Sequence, residues 1–184
     1  MKPINIIMII FGISLIGSYI IYDNTSKKIN EVVANNYLGK QTVYKEDTKD
    51  NIIGVLRIPK INFKMGFYDY QSSNNNVDKN ITLLNNNLPD SKNGLMVIAA
   101  HSGNSYLGFF KNLDKLVIND IVEIYYHNKI YYYIVDDIYE EDKDGSINYQ
   151  KNNQDNVLIL TTCSKKKDKQ LIVVSKLWKE EINE

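Results

Sequence analysis

The chain has 184 residues, with 22 basic and 22 acidic side chains, one cysteine and two histidines. The balanced charge gives no field for steering nucleic acid or an anionic surface. The single cysteine excludes an internal disulfide, and so few thiols and imidazoles argue against a structural zinc site.

The first element is an apolar run from Pro3 to Tyr22 without a charged residue. At about 20 residues it is long enough to cross ~30 Å of hydrocarbon as a helix. A cleaved signal peptide has a shorter apolar core followed by a small-x-small site. The run is therefore expected to be an uncleaved membrane anchor over residues 1–23. Lys2 precedes it and Lys27 and Lys28 follow it, so charge alone leaves the orientation nearly even. Residues 24–50 are polar and read as a stalk, with Ile29, Val32 and Val33 spaced for one face of a short helix.

From residue 51 to 184 the pattern becomes strand-like. Segments rich in Ile, Val, Leu and Tyr recur at Ile52–Ile58, Ile61–Tyr68, Leu95–Ala100, Ile121–Tyr126, Ile130–Val135, Val157–Thr162 and Leu171–Leu177, separated by Asn, Asp, Gly or Lys clusters. His127-Asn128-Lys129 between two aromatic runs predicts a tight hairpin. Short amphipathic helical pieces are expected at Lys79–Asn85 and Leu107–Leu116. Trp178, just past the last strand, is expected to staple the C-terminal end onto the domain. Seven strands with little helix predict an all-β (mainly β) fold, a closed barrel or a sandwich rather than βαβ units.

Cys163 closes the strand that begins at Val157 and is followed by Ser164 and Lys165, Lys166 and Lys167. Positive charge beside a thiol favours thiolate; a small buried hydrophobe at a strand end is the other reading. His101 closes the apolar strand from Leu95 and opens the loop Ser102-Gly103-Asn104-Ser105. Two strand ends that meet, one with Cys and one with His, make a nucleophile–base pair.

The segment Leu160-Thr161-Thr162-Cys163 resembles the sortase signature Thr-Leu-x-Thr-Cys, with Ile159 at the first Thr position. Ile53-Gly54-Val55-Leu56-Arg57-Ile58-Pro59-Lys60-Ile61 is similar to the opening of sortase barrels. Ala99-Ala100-His101-Ser102-Gly103, followed by Phe109-Phe110-Lys111-Asn112-Leu113-Asp114, resembles the family's histidine turn and its Phe-x-x-Leu segment. Three motifs in order span roughly Ile52 to Leu177. The single N-terminal apolar run is similar to the class D or class A arrangement.

The resemblance implies a closed sortase-type barrel of about seven to eight strands with short helices, behind one transmembrane helix. It also implies an extracellular cysteine transpeptidase. Cys163 would attack a Leu-Pro-x-Thr-Gly-like sorting signal between Thr and Gly, and His101 would serve as acid and base. A cell-wall amine would accept the acyl group, and water would replace it when amine is absent. Ala99 and Thr162 would line the groove for the signal. The family also carries an Arg on the strand after the nucleophile, whereas Arg57 is the only Arg in this chain. The expected position falls on Gln170 in one register and Lys169 in the other, and only one of these faces Cys163 in an alternating strand. The impaired alternative is a sortase-fold protein that binds sorting signals without efficient turnover. A third reading is a cysteine hydrolase that releases peptides to water.

No cofactor is expected to be required. The run Glu140–Ile147 has the offsets of a calcium loop at Asp142, Asp144 and Gly145, but Lys151 stands at the twelfth position, where a bidentate Glu belongs. A solvated acidic loop is the plainer reading, with calcium held by neighbouring carboxylates as the alternative.

Overall fold

The computed structural model describes residues 3–39, 51–103, 107–150 and 156–183; within the N-terminal helix the side chains at 3–5, 23–24, 26–27 and 29–30 are not described. Its eight strands are β1 (Ile52–Ile58), β2 (Phe63–Tyr68), β3 (Thr82–Leu83), β4 (Leu95–Ala99), β5 (Ile121–Tyr126), β6 (Lys129–Asp142), β7 (Val157–Cys163) and β8 (Lys169–Ile182). They form one sheet in the order β2-β1-β5-β6-β8-β7-β4-β3. Its two edge strands, β2 and β3, approach each other, so the sheet curls into a nearly closed barrel rather than a sandwich. Every neighbouring pair is antiparallel except β4 and β7, which run parallel.

The barrel is filled from alternate strand positions, including Leu56, Phe67, Ile98, Ile124, Leu160 and Val173, all fully buried. A second apolar layer lies on the outer face of β4, β7 and β8, where Val97, Val157, Ile159, Ile172 and Val174 meet Ile147 and Tyr149 of the β6–β7 connection. These three strands are thus covered on both faces, and near-continuous apolar runs suit that placement. Gly54 is required in β1, because a Cβ there would strike the ring of its cross-strand partner Phe67. The β5–β6 hairpin turns on His127 and Asn128, both with positive φ (47° and 61°). Two such residues make the turn that matches strand twist.

Several expectations change. Pro59–Ile61 is a 3-10 turn, and β2 starts only at Phe63. The piece at Lys79–Asn85 holds strand β3, not a helix. The Asn75 side chain both donates to Leu83 O (3.0 Å) and accepts from Leu83 N (2.7 Å), standing in for a strand partner. The Leu107–Leu116 piece has one 3-10 turn, Leu113–Lys115, which buries Leu113. β6 and β8 run longer than expected because they continue to pair with each other, from Lys129↔Ile182 to Asp142↔Lys169. Trp178 therefore lies within β8 and staples nothing: it is the extra residue where the register slips between Tyr132 and Tyr133, and it is 58% exposed.

The N-terminal apolar run is helical, but the helix α1 extends from Pro3 to Gly39. The expected boundary between anchor and stalk at residues 23 and 24 is a continuous helix. No Gly or Pro interrupts residues 18–38, and Thr25 Oγ1 donates back to Ile21 O at 2.8 Å across that boundary. The end of α1 docks on β1 and β2: Ala34 is buried, and Tyr37 donates to Ile53 O at 2.6 Å. The remainder of the expected stalk, residues 40–50, lies outside the described residues. Among the described residues, no helix is long and apolar enough to cross a membrane. The apolar side chains of the run at residues 6–22 are described. Those side chains are outward-facing, with Ile7, Met8, Phe11, Ile13, Ile16 and Ile21 each more than 60% exposed.

Candidate active site

Cys163 is the last residue of β7 and is partly exposed. His101 follows β4 by two residues. The parallel ladder pairs Ala99 with Thr161, and one further step carries it past Ala100 N, which donates to Thr161 O at 3.2 Å. Extended by two residues, the same register sets His101 level with Cys163. Alternation places Val97, Ala99 and His101 on the outer face of β4, and Ile159, Thr161 and Cys163 on the outer face of β7. Cys163 and His101 thus stand at the ends of adjacent parallel strands.

His101 Nε2 lies 3.1 Å from Asp78 Oδ1, and both side chains are well exposed. The backbone of the histidine turn is held by Phe110 N, which donates to His101 O at 2.9 Å. Buried Phe110 and Leu113 anchor that segment in the barrel. Of the expected loop, Ser102 and Gly103 are described; Asn104 and Ser105 lie outside the described residues.

Two expected groove residues separate. Ala99 shares the outer face with Cys163. Thr162 faces the interior, because it alternates with Cys163; it is buried, and its hydroxyl donates to Ala100 O at 2.7 Å. It cannot line an outer groove, and instead ties the end of β7 to the end of β4.

Of the two candidates for the missing Arg, Gln170 faces Cys163 directly across the β7–β8 ladder. Its amide, however, donates to Glu141 Oε1 (3.0 Å) and Ser146 O (2.5 Å). Lys169 lies on the opposite face of β8 and pairs with Asp142 at 2.7 Å. Arg57 pairs with Glu123 at 2.8 Å on β1 and β5, well around the sheet. The charge expected from the lysine cluster is also largely taken up: Lys165 pairs with Asp114, and Lys166 with Glu140. Lys166 and Ser164 hold the Glu140 carboxyl below the usual carboxylate range.

The cation that meets the thiol is one that sequence reasoning missed. Lys143 Nζ lies 3.1 Å from Cys163 Sγ. Nothing in the sequence marks it, since 20 positions separate it from Cys163 and it sits in what reads as a solvated acidic loop. Among the described residues no three His, Cys, Asp or Glu side chains are placed to hold a metal ion. Asp144 accepts from the backbone and hydroxyl of Ser146, in a turn where Gly145 takes φ 89°. Lys151, the twelfth position of the calcium-loop reading, lies outside the described residues.

The family model for the sortase domain matches residues 56–178. No curated protein matches. Among solved structures, the chain is similar to the sortase D5 transpeptidase of Clostridium perfringens, at 19% identity and TM-score 0.67, over 83% of this chain and 99% of that one. It is similar to sortase C1 of Streptococcus agalactiae, at 23% identity and TM-score 0.62, over 86% and 90% of the two chains. Sortase A of Listeria monocytogenes matches at 19% identity and TM-score 0.60, over 72% and 91%.

Proposed function

Because this chain belongs to the sortase family, we propose that it is an active sortase transpeptidase with Cys163 as nucleophile and His101 as acid and base. The observation that carries the reading is the parallel pairing of β4 and β7, whose ends lead into His101 and carry Cys163. The Sγ thiolate attacks the carbonyl carbon of a peptide bond in an extended signal of the Leu-Pro-x-Thr-Gly kind. The tetrahedral oxyanion collapses, and the amine leaves with a proton from His101. A cell-wall amine then attacks the thioacyl carbonyl, gives its proton to His101, and releases Cys163; without amine, water hydrolyses the acyl group. No cofactor is needed, since nucleophile, acid and base are side chains. The signal lies along the outer face beside the partly exposed Ala99, at the open edge of the layer that Ile147 and Tyr149 cover.

The protein acts outside the cell, on surface proteins bound for the wall of a Gram-positive cell, held to the membrane by α1. Support for the anchor comes from the exposed, uncharged apolar side chains on all sides of the helix, an arrangement suited to lipid. Carbonate extraction of membranes checks this: full-length chain should stay in the pellet, and a chain starting after residue 23 should be released.

A second reading, a sortase-fold protein that binds signals with little turnover, draws on the position facing Cys163, where Gln170 stands with its amide engaged elsewhere. Intact mass spectrometry of the full chain in detergent, incubated with a panel of Leu-Pro-x-Thr-Gly peptides, separates the two. A thioacyl adduct that Cys163→Ala lacks and that added amine consumes supports the transpeptidase. A folded protein with a reactive thiol and no adduct supports the binder.

A further inference from the structure

We propose that Lys143 is the catalytic cation of this site, donating to Cys163 Sγ and stabilising the thiolate in place of a charge from β8. The acyl-transfer part of this role rests on the transpeptidase reading; the pairing of ammonium and thiolate does not. Lys143 directly follows the last residue of β6, and its backbone N donates to Asp168 O at 3.0 Å, against the start of β8. On its other side the Asp144–Ser146 turn is fastened by Gln170, whose amide donates to Ser146 O. From this fixed base the side chain crosses the end of β8 to reach β7, three neighbours along the sheet order β6-β8-β7. Gln170 thus acts as a positioning residue: it spends its amide on the loop that carries the lysine.

Distance selects Lys143 over nearer lysines in the sequence, since its Nζ lies 3.1 Å from Sγ. Lys165, Lys166 and Lys169 each meet a carboxylate, of Asp114, Glu140 and Asp142 respectively. Among the described residues, Lys143 meets none, and the thiol sulfur is its side-chain partner. A charge-assisted hydrogen bond from an ammonium to sulfur favours the thiolate. As Sγ bonds to the carbonyl carbon, negative charge moves from sulfur to the oxygen on that carbon. The Lys143 ammonium donates toward that charge, while the proton for the leaving amine comes from His101.

The test uses the full chain in detergent and needs no peptide for its first arm. Alkylation of Cys163 by iodoacetamide at neutral pH is followed by intact mass, with thiolate ultraviolet absorbance in parallel. Lys143→Ala is expected to slow alkylation about three- to thirtyfold, the worth of a charge-assisted hydrogen bond reduced by exposure, and to lower the absorbance. Lys143→Arg should restore both, and Lys129→Ala, paired with Glu180 on the far hairpin, should match the parent. A lysine that merely covers the thiol predicts the reverse, faster alkylation once the side chain is cut back. Equal or faster alkylation with unchanged absorbance in Lys143→Ala overturns the proposal. If Lys143→Ala lowers both signals yet no peptide acylates the parent, the cation stands and the transpeptidase reading falls. If the parent acylates and Lys143→Ala acylates and alkylates equally fast, the transpeptidase stands and Lys143 has no part in it.

Discussion

Gln170 faces Cys163 across the β7–β8 ladder, yet its side-chain amide donates away from the thiol, to Glu141 and to the Ser146 carbonyl. The position that resembles the family's Arg site thus holds a residue occupied with loop structure. Removing it should act first on the loop. Gln170→Ala is expected to cost about 1–3 kcal/mol of stability through two lost hydrogen bonds, one of them to a carboxylate, read as a lowered urea midpoint. Gln170→Arg introduces a planar cation beside the thiol, and in the Lys143→Ala background it should raise the acylation rate about tenfold. No gain in that double variant would mean that residue 170 does not reach the reacting atoms.

Thr162 links the ends of β7 and β4. Its buried hydroxyl donates to Ala100 O, one residue before His101. Thr162→Val keeps the shape and removes the donor, which should cost about 1–2 kcal/mol and slow acyl transfer along with stability. Thr162→Ser should recover most of the loss. A Thr162→Val protein with the parent's urea midpoint would show that the bond contributes nothing.

Asp78 and His101 form an exposed pair, with the Asp78 side chain 76% exposed and that of His101 41% exposed. Such a pair is worth less than about 1 kcal/mol, so Asp78→Ala should change acyl transfer less than about fivefold. On the proposed mechanism His101→Ala removes the acid and base and should cost about 100-fold or more. Comparable losses in the two variants would promote Asp78 to an essential orienting group.

The barrel interior predicts an alkaline weakness. Burial, with smaller contributions from Tyr131 and Asp90, pushes the Tyr133 phenol well above the ordinary tyrosine range. The unfolded chain releases that proton near pH 10 while the folded chain retains it, so the unfolded state binds fewer protons and stability falls as pH rises beyond about 10. Below that pH the contribution is fully present. Tyr133→Phe should flatten the alkaline limb of a stability-versus-pH curve and leave the neutral region nearly unchanged; an identical limb would assign the loss to other groups.

The sequence by itself determined the strand-rich class, most strand positions, the hairpin at His127-Asn128, and the placing of Cys163 and His101 at strand ends. These follow from local rules: a period of two, turn chemistry, and apolar runs that stop where polar residues begin. It went astray where pairing between distant segments prevails. β3 exists because Asn75 lends its amide to Leu83, and β6 and β8 lengthen because each supplies the other's hydrogen bonds. Thr162, read as a groove residue by resemblance, turns inward by the alternation that turns Cys163 outward. Only the tertiary structure brought the β4 end that leads into His101 beside the β7 end that carries Cys163, through their parallel pairing. Only it singled out Lys143 among the lysines. A long charged side chain pairs with whatever charge the fold brings near it, and that depends on which carboxylates lie close in space, a relation that chain order does not carry.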